Sequence, residues 1–133
     1  MLDKGFTDSN DATTVAASAA AEADVIYIPT DNTAAGCAPA IGGVIGDTPL
    51  IAGEEGICSG CGVATLTISY YDLGVTTGKM AAKILKGEAK IEEMEIEYAG
   101  TPTKKYNKAR CDELGIDTAW LESMGYVQIE IAE

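Results

Sequence analysis

The apolar run Val25-Ile26-Tyr27-Ile28 stops at Pro29 and passes straight into Thr30, Asp31, Asn32 and Thr33, and that break constrains the fold most. A run of this kind, too short to cross a membrane, reads as a strand covered on both faces. The polar residues behind it read as a strand-to-helix turn. Asn32 or Thr33 is expected as the N-cap of a helix over 33–44, which Pro39 kinks or ends early. Ligands of open α/β sheets sit beyond the carboxyl ends of parallel strands, so Thr30, Asp31 and Asn32 fall where a small polar ligand is held. Asp31 can accept from an ammonium group, and the helix start offers N–H groups to an anion.

The pattern recurs along the chain. Asp8, Ser9, Asn10 and Asp11 are N-cap candidates before an alanine-rich helix over 12–23. A second apolar strand, 50–52, ends in Gly53, Glu54, Glu55 and Gly56. A glycine-rich loop over 53–62 then leads to a third strand, 63–69. Its alternation of Leu66 and Ile68 with Thr65, Thr67 and Ser69 gives it one polar face. Tyr70 and Tyr71 close that strand, and Asp72 caps a helix over 73–86 that stops at Gly87. An edge strand is expected at 94–98, short helices at 108–114 (capped by Asn107) and 119–124, and a final strand at 127–131. Strands alternating with helices predict an α/β fold, a mainly parallel, Rossmann-like sheet flanked by helices.

With 133 residues and a net charge of −12, the chain suits one domain and lacks the clustered cations that nucleic acid or an anionic membrane would require. Its first residues carry no basic-then-apolar leader, so the chain is expected to be cytosolic or a piece of an exported protein. Cys58-Ser59-Gly60-Cys61 has the spacing of a redox dithiol, half a zinc site or a local disulfide. Zinc needs two more ligands, but there is no histidine, and Cys37 and Cys111 stand alone. Since the motif is expected in a loop, a Cys58–Cys61 disulfide or two idle thiols is the default reading. Neither a general base of the usual kind, a dinucleotide fingerprint nor a phosphate loop is present, so no cofactor, metal or catalysis is expected. The polar strand ends instead outline half of a binding rim: Thr30, Asp31 and Asn32; Glu54 and Glu55; Tyr70 and Tyr71. They combine carboxylates for an ammonium with aromatic faces for a ring.

Three motifs in order carry a family resemblance. They are Asp24 through Thr33, Ile51 through Gly56, and Tyr70-Tyr71-Asp72-Leu73-Gly74 followed by Gly78-Lys79 and Lys83-Ile84-Leu85. Over about residues 5 to 116 the chain resembles the ABC-transporter substrate-binding proteins of the tryptophan/tyrosine type, with a type I periplasmic-binding-protein fold. The resemblance implies the single C-terminal ligand-binding lobe of a two-lobed, extracytoplasmic receptor (residues 1–133) that serves a membrane permease. It implies that Asp31 binds the amino group of an amino-acid ligand, aromatic in this family, helped by Thr30 and Asn32. Glu54 or Glu55 then points into the cleft, and Tyr70 or Tyr71 lies near the hinge. Elements within 72–115 normally pack on the first lobe, so a second copy, as a homodimer or domain-swapped dimer, is expected to cover the Val75–Leu85 stripe. The alternatives are a sensor domain of the same fold and, further off, a CxxC thiol oxidoreductase.

Overall fold

The computed structural model describes residues 1–130. It resolves into two compact units, Met1–Thr67 with Lys104–Glu133, and Ile68–Thr103.

The first unit holds a five-stranded sheet in the order β1-β2-β3-β4-β5: Ile26–Ile28, Leu50–Ala52, Ala64–Thr67, Thr103–Tyr106 and Val127–Gln128. β1 with β2, β2 with β3, and β4 with β5 are parallel. The Asn107 N–H donates to the Val63 carbonyl at 3.0 Å, joining the exit of β4 to the entry of β3, so β4 runs back against β3. The chain therefore leaves this unit at the carboxyl end of β3 and re-enters it at the same edge. The expected strand 127–131 is seen at Val127–Gln128, and residue 131 lies outside the described residues.

Helices α1 (Ser9–Ala20), α2 (Asn32–Gly36), α3 (Ala38–Val44) and α4 (Glu55–Cys61) pack on one face of β1 and β2. Asp8 starts α1 with a capping box: it accepts from the Asn10 N–H at 2.7 Å, while Asp11 reaches back to the Asp8 N–H at 3.1 Å. Pro39 sits in the first turn of α3, where its missing N–H costs nothing, and the expected helix over 33–44 is broken early, into two helices meeting at Cys37. Between helices and sheet lie Ile26, Ile28, Ala34, Ile41, Leu50, Ala52 and Ile57. A Cβ on Gly60 would come within 2.5 Å of the Ala38 Cβ, so α3 and α4 touch almost backbone to backbone. A second cluster gathers Val63, Ala64, Tyr106, Cys111 and Leu121 under α6 (Lys108–Glu113) and α7 (Thr118–Ser123).

One expectation about strand faces is corrected, and another, the polar face of β3, gains its orientation. Tyr27 is 65% exposed, so β1 is covered on one face only. In β3 the polar face is the buried one: Thr65 is 2% exposed and Leu66 58%. Register explains both, because Ala52 pairs with Thr65, which places Thr65 on the helix-covered face and turns Tyr27, Ile51 and Leu66 to the other.

The second unit is built on α5 (Tyr70–Leu85), followed by a 3-10 turn, Ile91–Glu93. Ser69, not Asp72, caps α5, accepting from the Asp72 N–H at 3.1 Å, and Gly87 at φ 71° stops it. No residue of α5 is buried. The expected strand at 94–98 is absent; its alternation of glutamates with Ile96 and Tyr98 has no sheet neighbour, and both apolar side chains are exposed.

Candidate functional site

The carboxyl ends of β1 and β2 converge as the sequence suggests. The Thr30 hydroxyl donates to the Gly53 carbonyl at 3.1 Å, tying the β1–α2 turn to the β2–α4 turn. A Cβ on Gly53 would lie 2.5 Å from the Thr30 nitrogen and 2.7 Å from the Pro29 carbonyl carbon. Only glycine lets the two turns approach so closely. Thr30 and Asp31 are thereby held beside Glu54.

Each carboxylate then has a distinct place. Asp31, half-buried, is the N-cap of α2, a role expected of Asn32 or Thr33; its Oδ1 accepts from the Ala34 N–H at 2.8 Å. Among the described residues its Oδ2 takes no hydrogen bond. Asn32 and Thr33 are exposed in the first turn behind it. Because α2 is five residues long and its first turn is already capped by Asp31, the anion site expected there has little to offer. Glu54 is the N-cap of α4, with Oε2 accepting from the Gly56 N–H at 2.8 Å and Oε1 from the Ile57 N–H. Glu55 gives both oxygens to Lys105 Nζ, each at 2.7 Å, bridging the start of α4 to β4. Asp31 alone of the three keeps an open acceptor oxygen.

Tyr70 and Tyr71 lie in the second unit, exposed in the first turn of α5. Lys105 was missed in the sequence. The signal was the pair Lys104-Lys105 in a chain with nine cations against 21 carboxylates.

The CxxC motif is on helix α4, not in a loop, and all four cysteines are free thiols. Of the two readings left open for Cys58 and Cys61, a disulfide or idle thiols, the structure has the thiols. Burial pushes the Cys58 thiol up to about 12 and Cys61 to about 11. A redox nucleophile needs the opposite shift, toward the thiolate. Among the described residues no cluster of metal-ligating side chains exists, and no helix is long and apolar enough to cross a membrane.

Residues 4–121 match the family model of ABC transporter substrate binding proteins, and the chain belongs to that family. It is 32% identical over 91 residues to a tyrosine-binding protein of Clostridioides difficile (strain R20291), covering 67% of this chain and 26% of that one. The fold is similar to the ABC domain from Streptococcus pneumonia solved in complex with L-Trp, with a TM-score of 0.82, 27% identity, and coverage of 94% of this chain and 44% of that one. It is also similar to the ligand-free, open structure of CD0873 from Clostridium difficile, a substrate binding protein with adhesive properties, at TM-score 0.69 and 30% identity, covering 97% and 44%. The chain thus spans less than half the length of these relatives.

Proposed function

We propose that this chain is the ligand-holding C-terminal lobe of the solute receptor of an ABC importer, and that it binds the ammonium group of an amino acid on Asp31. One observation carries the reading: at the joined ends of β1 and β2, Asp31 has an uncommitted carboxylate oxygen, whereas both oxygens of Glu54 and of Glu55 are taken by the protein. Thr30 and Asn32 flank it. A charge-assisted bond to an ammonium is worth more than a neutral one, so an amino acid fits this rim better than a neutral solute. The tyrosine- and tryptophan-binding relatives support an aromatic side chain. The receptor acts outside the cytoplasm, passes its ligand to a membrane permease and performs no reaction.

The test is a titration of the chain with L-tyrosine, L-tryptophan and their deaminated acids, followed by amide chemical shifts at Thr30 to Ala34. The amino acids are expected to shift these amides, weakly because one lobe offers part of the contact area. Equal shifts from the deaminated acids would remove the ammonium from the account. In the second unit, the uncovered apolar side of α5 is taken up by a second copy of the chain. Light scattering is expected to show a dimer at high concentration, and a monomer throughout would contradict this.

A further inference from the structure

We propose that Lys105 is a specificity-determining residue of the ligand rim: by neutralising Glu55 it makes the rim select a ligand with one ammonium group over a ligand that carries a second. The inference rests on the reading of Asp31 as the ammonium acceptor, and it says which cations that acceptor turns away.

The fold builds the position of Lys105. Strand alternation points Lys105 and Asn107 to the same face of β4. Asn107 donates to the Cys58 and Ser59 carbonyls and Lys105 to the Glu55 carboxylate, and these partners stand three and four residues apart along α4. One face of β4 is thereby laid along α4, with Lys105 held at the first turn of the helix. Its Nζ meets both Glu55 oxygens at 2.7 Å, the two side chains being 27% and 37% exposed. The pair joins residues 50 apart in sequence, whereas the other ion pairs among the described residues span 18 or fewer. Local helix chemistry therefore does not account for it.

A partly exposed ion pair adds little to stability. Its larger consequence is the charge of the rim. Asp31, Glu54 and Glu55 gather around the joined ends of β1 and β2. Glu54 is held by the Gly56 and Ile57 N–H groups, Glu55 is matched by a full positive charge, and Asp31 keeps an open oxygen. Without Lys105 a second open carboxylate would stand on the same rim. Glu55 lies just beyond Gly53, and Asp31 follows Thr30, the residue that Gly53 touches. One open carboxylate accepts one ammonium, and two accept a ligand that carries two. Specificity is a difference of affinities, so closing the second acceptor weakens the wrong ligand while leaving the right one its partner.

The test compares L-tyrosine with 4-(aminomethyl)-L-phenylalanine, which carries a second ammonium where tyrosine has its hydroxyl. Affinities are read from the amide shifts of Thr30 to Ala34 in the unaltered chain and in three variants. The unaltered chain is expected to prefer L-tyrosine. Lys105→Met, which keeps the stem and removes the charge, is expected to move the affinity ratio about tenfold toward the diammonium ligand, and less at high salt. Lys105→Arg should leave the ratio in place. Glu55→Gln should move it the other way, since Lys105 then stands unmatched, and this variant decides if Lys105→Met does not fold. A ratio unchanged in either charge-removing variant would overturn the proposal, and so would an equal fall in both affinities, because a merely structural lysine changes both alike. An unaltered chain that prefers the diammonium ligand would also overturn it. If the unaltered chain binds neither ligand, the reading of Asp31 itself fails, and this proposal with it.

Discussion

Gly53 shows how tightly one residue controls the candidate site. Its absent side chain lets the ends of β1 and β2 touch, and those ends place Asp31 beside Glu54. Gly53→Ala is expected to destabilise the chain by about 1–3 kcal/mol, because the obstacle is backbone, which cannot rotate away. Chemical denaturation measures it, and a neutral result would mean that the two turns are not in contact. That the polar ends of β1 and β2 meet was legible in the sequence, since each apolar run ends in its own polar cluster, whereas the third cluster, Tyr70 and Tyr71, falls in the other unit. Their division of labour was not. Whether a carboxylate caps a helix, pairs with a lysine or stays open depends on where the next N–H or ammonium falls. Lys105 is 50 residues from Glu55 along the chain.

Among the elements, helices that carry their own start signals were readable: Asp8 and Asn107 cap α1 and α6. Strand faces were less so, because threonine suits either side of a sheet and only register decides. Helix α4 was hidden by its glycines, which weaken the helical signal but are needed where α3 and α4 meet closely. Asn107 binds these elements together. Its side-chain amide donates to the Cys58 and Ser59 carbonyls, each at 3.0 Å, and its oxygen accepts from the Arg110 N–H at 3.2 Å. Asn107→Ala is expected to cost about 2–4 kcal/mol, since it removes two bonds to the carbonyls of α4 and the cap of α6. The half-exposed Glu55–Lys105 pair is worth far less: Lys105→Met should cost no more than about 1 kcal/mol, and less at high salt. A double-mutant cycle separates the two cases.

For the molecule as a whole, the buried thiols set the alkaline limit. Cys58 rises from 9.0 to about 12 on folding, so the folded chain holds its proton where the unfolded chain releases it. That contribution is fully present below about pH 9 and drains away as pH climbs toward about 12. Cys58→Ala should therefore flatten the fall in stability above about pH 9, measured by urea midpoints across pH, and an unchanged slope would contradict the burial account. The division into two units was the least legible feature. Composition does not change at Ile68 or Lys104, and the exposed side of the sheet cannot be foreseen from a run that reads as covered on both faces.

The most direct test of the central claim is Asp31→Asn, followed by titration with L-tyrosine. Asparagine keeps the oxygen that caps α2 while losing the charge, so the fold should hold and affinity should fall about tenfold to a hundredfold. A variant that folds normally and binds L-tyrosine as tightly as the original chain would show that Asp31 does not hold the ligand.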